Sequence, residues 1–319
     1  MGGVVLTGLS EVAGAATERL VSPTGADLLV RHRAVSQPKA VIGIQHGMAE
    51  HSARYGAFQD ALAQAGYASI VHDHRGHGLT HASDAREGHF ADEDGWSKVV
   101  TDALCVMELA RTRHPDAPLF AFGHSMGGIV AANLLLAHAD RIGGAAIWNI
   151  GFRQGAAGLA FRGLLRLERM RRGSDVPSPL ARKLTFDAFN RRFAPNRTEF
   201  DWLSRDEREV DLYVADPHCG HPVTVGMWLD VQDGMKRAAD DEALIVLPRE
   251  TPLHVLGGSR DPVTEGGKKA VRLSKRMRAT GLSDVTCTVL EGARHEALHE
   301  TNRNETIAAF IAWLDARFG

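Results

Sequence analysis

At 319 residues the chain is long enough for one large domain or for a core with an insertion. Its 44% apolar and 24% charged residues, with a net charge of −2, describe a globular protein and exclude the basic excess of a nucleic-acid binder. Three widely spaced cysteines, Cys105, Cys219 and Cys287, offer neither a disulfide framework nor metal-ligand spacing, which suits a reduced, cytoplasmic compartment.

The first stretch, Met1–Ala16, is rich in Gly, Ala and Val but lacks a positive leading region, so it reads as a loose arm and not as a signal peptide. Thr17–Ser22 and Asp27–Val35 flank Pro23-Thr24-Gly25 and form an opening β-hairpin. Ala40–Gln45 is a strand of the fully buried type, ending in His46-Gly47-Met48. Arg54–Ala65 has helical periodicity and stops at Gly66; Tyr67–Val71 is the next strand, running into the histidine-rich turn HDHRGHG at 72–78. Trp96–Arg113 is a long helix closed by His114-Pro115. Strand Leu119–Phe122, helix Ile129–His138 and strand Ile142–Trp148 follow. Farther on come strands Leu253–Leu256 and Val285–Leu290, a helix between them over Gly266–Thr280, and a closing helix Asn302–Phe318. Strands alternating with helices after a leading hairpin imply a mostly parallel, doubly wound sheet, whose ligands bind outside the carboxyl ends of the strands. No run approaches the roughly 18–20 apolar residues of a membrane span.

Between Asn149 and about Ala243 the alternation lapses. The stretch holds nine aromatics (Phe152, Phe161, Phe186, Phe189, Phe193, Phe200, Trp202, Tyr213 and Trp228). It is expected to form a helical cap, 149–243, over a core made of 1–148 and 244–319, with about a third of its aromatics lining an apolar pocket and the rest fixing the cap to the core.

LFAFGHSMGG at 119–128 carries G-x-S-x-G in the required setting of strand, sharp turn and helix. A serine on so tight a turn leaves no room for a Cβ two residues away on either side. Ser125 then stands at a strand end with the Met126 N–H and a positive helix end behind it, facing any developing oxyanion. Alone, the motif is as often an ordinary Gly-rich turn. A serine hydroxyl also needs a base, itself oriented by a third group, and in this architecture the order is Ser, Asp or Glu, His. GGSRDPV at 257–263 supplies Asp261 after the next-to-last strand, and EGARHE at 291–296 supplies His295 after the last. Order, loop placement and elbow together point to Ser125, Asp261 and His295, with the Met48 N–H as second oxyanion donor. HEALH at 295–299 also matches a zinc-protease pattern. That chemistry needs all five residues on one helix, whereas His295 follows a strand and Gly292; no metal is expected there, and HDH at 72–74 reads as a structural turn.

Together HGMAEHSARY at 46–55, DHRGHGLT at 73–80, GHFADEDGWSKVVTD at 88–102, GHSMGG at 123–128, GGSRDPV at 257–263, GARHE at 292–296 and FDWLSRDEREVDLYVADPHCG at 200–220 resemble the monoacylglycerol lipase and lysophospholipase branch of the α/β-hydrolase superfamily. The resemblance spans most of the chain and is looser over 150–199. It implies an α/β-hydrolase fold, with a mostly parallel eight-stranded sheet flanked by helices and an inserted helical cap, and a cytosolic or peripherally membrane-associated serine hydrolase of long-chain acyl esters, with no metal or cofactor. Carried over, Ser125, Asp261 and His295 form the triad, Met48 and Met126 the oxyanion hole, and Glu50 and Arg54 shape the polar end of the substrate pocket. The serine at the elbow departs from dehalogenases and epoxide hydrolases, which place Asp there.

Two other readings remain at this stage. A proline-releasing aminopeptidase shares fold and triad and would use acidic residues of 201–216 to hold a free amine; a non-catalytic receptor on the same fold is the other. The cap's charge is divided, with 11 Arg/Lys against four Asp/Glu over 150–200 and four against 11 over 201–245. Arg162, Arg166 and Arg169 form a stripe suited to anionic lipid, giving peripheral membrane contact through the cap. The favoured reading is that the two halves neutralise one another.

Overall fold

The computed structural model describes residues 7–12, 15–152 and 155–319. The strands are β1 (Thr7–Val12), β2 (Ala15–Val21), β3 (Asp27–Arg33), β4 (Val41–Gln45), β5 (Ala68–His72), β6 (Leu119–His124), β7 (Ala145–Trp148), β8 (Leu253–Gly258) and β9 (Val285–Leu290). They form one sheet in the order β1-β2-β3-β5-β4-β6-β7-β8-β9. The pairings β1–β2, β2–β3 and β3–β5 are antiparallel and all others parallel. Strands β2–β9 are the eight read from the sequence. The ninth lies inside the stretch read as a loose arm: Thr7–Val12 pairs with β2 through a register irregularity between Leu9 and Val12. Such a short edge strand owes its existence to the backbone ladder of its neighbour, which local composition does not encode.

Helices α1 (Gly56–Gln64), α2 (Gly95–Arg113) and α3 (Met126–Ala137) connect the first parallel strands. Between β7 and β8 the chain forms the helical cap: α4 (Gly155–Arg172), α5 (Pro179–Leu184), α6 (Phe186–Asn190), α7 (Glu207–Ala215), α8 (Val225–Ala238) and α9 (Asp241–Ile245). Then α10 (Lys268–Ala279) joins β8 to β9 and α11 (Arg303–Phe318) ends the chain. Side chains of the cap close its own helix ends, as the Ser178, Asp206 and Thr224 oxygens accept from the N–H groups of Ala181, Arg208 and Met227. The last long helix of this insertion is seated on the core: α8 packs against α2 and α3, and Asn133 donates to the Gly234 carbonyl at 3.1 Å.

The central strands are buried on both faces, which is why they read as unbroken apolar runs. One face packs Val99, Val106 and Met107 of α2, Ile129 and Leu134 of α3, and Leu273 and Met277 of α10. The other packs Phe58 and Leu62 of α1 and Phe310, Trp313 and Leu314 of α11 against Phe120, Phe122 and Trp148. Parallel β4, β6, β8 and β9 all end on one edge, so their following loops converge there. No helix among the described residues is long and apolar enough to cross a membrane.

The histidine-rich turn is buried beneath that edge. His46 donates through Nδ1 to the Gly47 carbonyl at 2.7 Å and accepts at Nε2 from the His74 N–H at 2.9 Å. His254 likewise accepts from the Trp148 indole at 3.0 Å. Neither acceptor nitrogen can take a proton without losing its bond. Burial lowers both imidazoles from the usual 6.5, His254 to about 3, and lowers His72 to about 3 as well. His74 and His77 are also held down, again chiefly by burial. Two groups oppose them. Burial raises Asp230 to about 7, and His124 is raised because Glu50 outweighs the effect of its burial. Lowered imidazoles bind fewer protons folded than unfolded, so their contribution is full above 6.5 and shrinks as pH falls from 6.5 toward 3. The lowered groups outnumber the raised ones, so the urea midpoint should drop between pH 7.5 and pH 5; an unchanged or rising midpoint would contradict this balance.

Candidate active site

Ser125 sits between β6 and α3 in the left-handed region, at φ 53°, ψ −119°. That conformation is costly for a residue with a Cβ, and the backbone around it fixes it. Its N–H donates to the Trp148 carbonyl at 2.9 Å, and its own carbonyl accepts from Gly128 N–H at 2.9 Å. A Cβ on Gly123 would lie 2.0 Å from the Gly127 carbonyl oxygen, and one on Gly127 would lie 2.0 Å from that of Gln45. The elbow is therefore pressed against the end of β4, and both glycines are required by contact.

The loops after β8 and β9 bring Asp261 and His295 to the serine. His295 Nε2 is 3.0 Å from Ser125 Oγ, and Nδ1 is 3.0 Å from Asp261 Oδ1. Both partners are buried. Asp261 also accepts from Val263 N–H at 2.9 Å, Asn149 Nδ2 at 3.1 Å and Thr264 Oγ1 at 2.8 Å. Burial pushes its carboxyl up, but His295, Asn149 and Thr264 more than compensate and hold it below the usual range. An ionised Asp261 keeps the Nδ1 proton in place and leaves Nε2 to accept from the serine hydroxyl. Met48 lines the cleft beside Ser125. Met126 is the first residue of α3, so its N–H is among those a helix leaves without an intrahelical acceptor.

Glu50 and Arg54 belong to a buried ion network. Arg54 Nη1 donates to Glu50 Oε2 at 2.6 Å and to Glu296 Oε1 at 2.7 Å, while Nη2 donates to Glu296 Oε2 at 2.7 Å. Gly47 N–H and Tyr55 Oη both donate to Glu50 Oε1. His124 places Nδ1 at 3.5 Å from the same oxygen and donates Nε2–H to the His295 carbonyl at 3.0 Å. Burial raises the Glu50 and Glu296 carboxyls, yet Arg54, joined at Glu50 by His124, brings both below the ordinary value. Arg54 also lies over the Tyr213 ring, 4.9 Å from its centroid. Glu50 thus lines the cleft with its oxygens already engaged, and Arg54 does not line it.

Sequence reasoning missed five residues here: Asn149 and Thr264 on Asp261, His124 and Glu296 in the ion network, and Trp202, whose ring lies 4.8 Å from that of His295 at 35°. Asn149 carried a signal, since it directly follows a strand at the sheet's carboxyl edge. HEALH does not form the helix that zinc chemistry needs. Glu296 precedes a single 3-10 turn, Ala297–His299; its carboxylate holds Arg54, and His299 faces Glu209 at 3.2 Å.

The cap clamps the His295 loop. Glu296 N–H donates to the Leu203 carbonyl at 2.8 Å, Arg294 donates to the carbonyls of Asp201 and Ser204, and Arg205 and Arg303 pair with Glu300 and Asp206. Four of the nine cap aromatics, Phe186, Phe200, Trp202 and Tyr213, line the cleft together with Leu203. They leave about 30 Å³ of free space, far less than the roughly 300 Å³ at which enclosed ligand pockets begin.

The family model described as "Serine aminopeptidase, S33" (Hydrolase_4) matches residues 36–302. The chain belongs to this family. It is 30% identical to the monoglyceride lipase of Rattus norvegicus over 287 residues, 88% of this chain and 83% of that one. It is 25% identical to the monoacylglycerol lipase of Mycolicibacterium smegmatis, over 88% of this chain and 89% of the relative. A carboxyl esterase of Bacillus coagulans superposes with a TM-score of 0.87 at 23% identity, covering 97% of this chain and all of that one. The fold is that of the α/β-hydrolases, as the sequence implied.

Two substitutions separate what this Hydrolase_4 elbow requires from ordinary helix propensity. Gly127→Ala must displace the end of β4 and should lower the thermal midpoint markedly. Gly163→Ala, in α4 with nothing within 4 Å of the new Cβ, should be neutral or gain about 0.5–1 kcal/mol. A Gly127 variant as stable as wild type would contradict the contact. Arg54→Met leaves Glu50 and Glu296 buried without their cation and should cost about 3–5 kcal/mol in chemical denaturation; a change below about 1 kcal/mol would mean the network is dispensable.

Proposed function

We propose that the protein is a serine hydrolase of lipid-like carboxylic esters, of the monoacylglycerol or lysophospholipid kind. The observation that carries this reading is the line Ser125 Oγ, His295, Asp261 with 3.0 Å at each step, at the foot of a cleft walled by apolar and aromatic cap residues. Ser125 attacks the acyl carbonyl as His295 Nε2 takes its proton, and Asp261 holds the imidazolium. The N–H groups of Met48 and Met126 receive the oxyanion, each worth on the order of 3 kcal/mol. His295 then returns the proton to the leaving alcohol, and water, activated by the same nitrogen, releases the acid from the serine. Two monoglyceride or monoacylglycerol lipases among the relatives support the substrate class.

The description of the family raises the peptidase alternative, and the charges of the cleft argue against it. A free amine needs an uncommitted carboxylate. The carboxylates lining the cleft are Glu50 and Glu296, and both already have oxygens committed to the single cation Arg54. Among residues 201–216, Asp206 pairs with Arg303, Glu209 with His299, Asp211 with Arg197 and Asp216 with His51. We take residues 149–243 as the cap and 1–148 with 244–319 as the core. The closed cleft then requires the cap to shift to admit an acyl chain.

The cap also supports contact with a lipid surface, though not through the arginine stripe. Arg162 is bound to Asp233 at 2.6 Å, and Arg162, Arg166 and Arg169 border a cavity that also contains Asp92, Glu93, Asp94 and Asp230. The side of α4 turned away from the buried Leu165 exposes Leu159 (72%), Met170 (84%), Leu164 and Leu167, apolar surface on the same helix as the exposed Arg171 and Arg172. We place the protein in the cytoplasm at membrane surfaces, in keeping with its three free thiols.

Ser125→Ala should retain the thermal midpoint and lose more than about a thousandfold in ester hydrolysis. Across monoacyl esters from C2 to C16, assayed below their micelle thresholds, kcat/KM should rise by at most roughly fourfold per methylene until the cleft is filled. A flat series with faster cleavage of prolyl amides would replace this reading with the peptidase. Leu159→Asp with Met170→Asp should abolish co-sedimentation with anionic vesicles while leaving hydrolysis of a short soluble ester unchanged; unchanged sedimentation would remove α4 from the contact.

A further inference from the structure

Where the cap meets the loop after β4, a nitrogen, an oxygen and a sulfur come together outside the Ser125 cleft. His51 follows Glu50 in that loop; Asp216 and Cys219 lie in the turn after α7. One ligand atom from each, a ring nitrogen of His51, a carboxylate oxygen of Asp216 and Cys219 Sγ, lies within 4.8 Å of the others. His51 is buried and the other two half-buried, and His51 Nε2 is already 2.8 Å from Asp216 Oδ2. Independent hydrogen bonds fix both segments. Gly220 N–H and Tyr213 Oη each donate to the Ala49 carbonyl, at 2.9 and 2.8 Å. Asp216 Oδ1 accepts from His218 N–H at 2.9 Å, and the Asp216 carbonyl accepts from Cys219 N–H at 3.0 Å.

We propose that His51, Asp216 and Cys219 form a binding site for a divalent ion of the zinc class, with the fourth position open to water. The argument is the donor set and its spacing. Imidazole, carboxylate and thiolate together suit a borderline-soft ion and not calcium or magnesium. Tetrahedral zinc at bond lengths of about 2.0–2.3 Å places its ligand atoms roughly 3.3–3.8 Å apart, so the His51–Asp216 pair has to open by about half an ångström and the Cys219 sulfur to close by about 1.3 Å at most. The charges balance: thiolate and carboxylate cancel the ion, and His51 binds as the neutral ring through Nε2 with its proton on Nδ1. Binding therefore releases the Cys219 thiol proton to solvent. Arg54, the cation beside Cys219, is already held by two carboxylates. The ion ties the cap turn 216–219 to the loop that carries Met48, and it uses no residue of the Ser125–His295–Asp261 line or of HEALH.

The test titrates chelator-treated full-length protein with Co²⁺ and then Zn²⁺. The expected result is one Co²⁺ per chain with a near-ultraviolet thiolate charge-transfer band, displaced by Zn²⁺, and a higher thermal midpoint with Zn²⁺ because the ion joins cap to core. Cys219→Ser should lose the band and the shift, Asp216→Asn should lose the shift, and Cys105→Ser should keep both. No band in the wild-type protein, or a band that survives Cys219→Ser or disappears with Cys105→Ser, would overturn the site. Should Cys219→Ser fail to fold, a Zn²⁺ shift undiminished in Asp216→Asn overturns it equally.

Discussion

The structure depends on one buried guanidinium. Arg54 holds Glu50 and Glu296 at once, and these carboxylates belong to the loops after β4 and β9. Through Glu50 the same network reaches Gly47 N–H and His124, the last residue of β6. The loop with Met48, the strand that leads into Ser125 and the loop with His295 are therefore registered against one another by a single set of charges. Buried ion pairs add little net stability, but losing one member is expensive. Such a network suits geometry more than affinity, because it penalises any displacement of one loop relative to the other two.

That arrangement bears on the cap. Segment 201–209 fastens to the His295 loop through Leu203, Arg294, Arg205 and Arg303, and Trp202 lies against the imidazole itself. A cap that shifts to admit an acyl chain pulls on the loop carrying the base, while Arg54 holds that loop from the core side through Glu296. The aromatic residues filling the cleft are then the movable part, and the ion network the fixed one.

How much of this was legible in the sequence depends on how local the cause is. The elbow was legible because a backbone contact of 2.0 Å dictates glycine at two fixed offsets from Ser125. Asp261 and His295 were legible because strand order places them, and the eight core strands because burial on both faces writes continuous apolar runs. Glu296 was read only as part of HEALH, since its partner Arg54 is 242 residues away and no spacing encodes that pair. Trp202 on His295 and Asn149 on Asp261 are tertiary contacts of the same kind. The strand Thr7–Val12 was hidden for a different reason: its pairing is supplied by β2, not by its own pattern.

The central claim is that Ser125 is a nucleophile activated by His295, and covalent capture tests it most directly. Wild-type protein incubated with a fluorophosphonate, digested and mapped by mass spectrometry, should carry one adduct per chain, on Ser125, and lose its esterase activity in step with labelling. No adduct, or an adduct on any other residue with activity lost in parallel, would contradict the account.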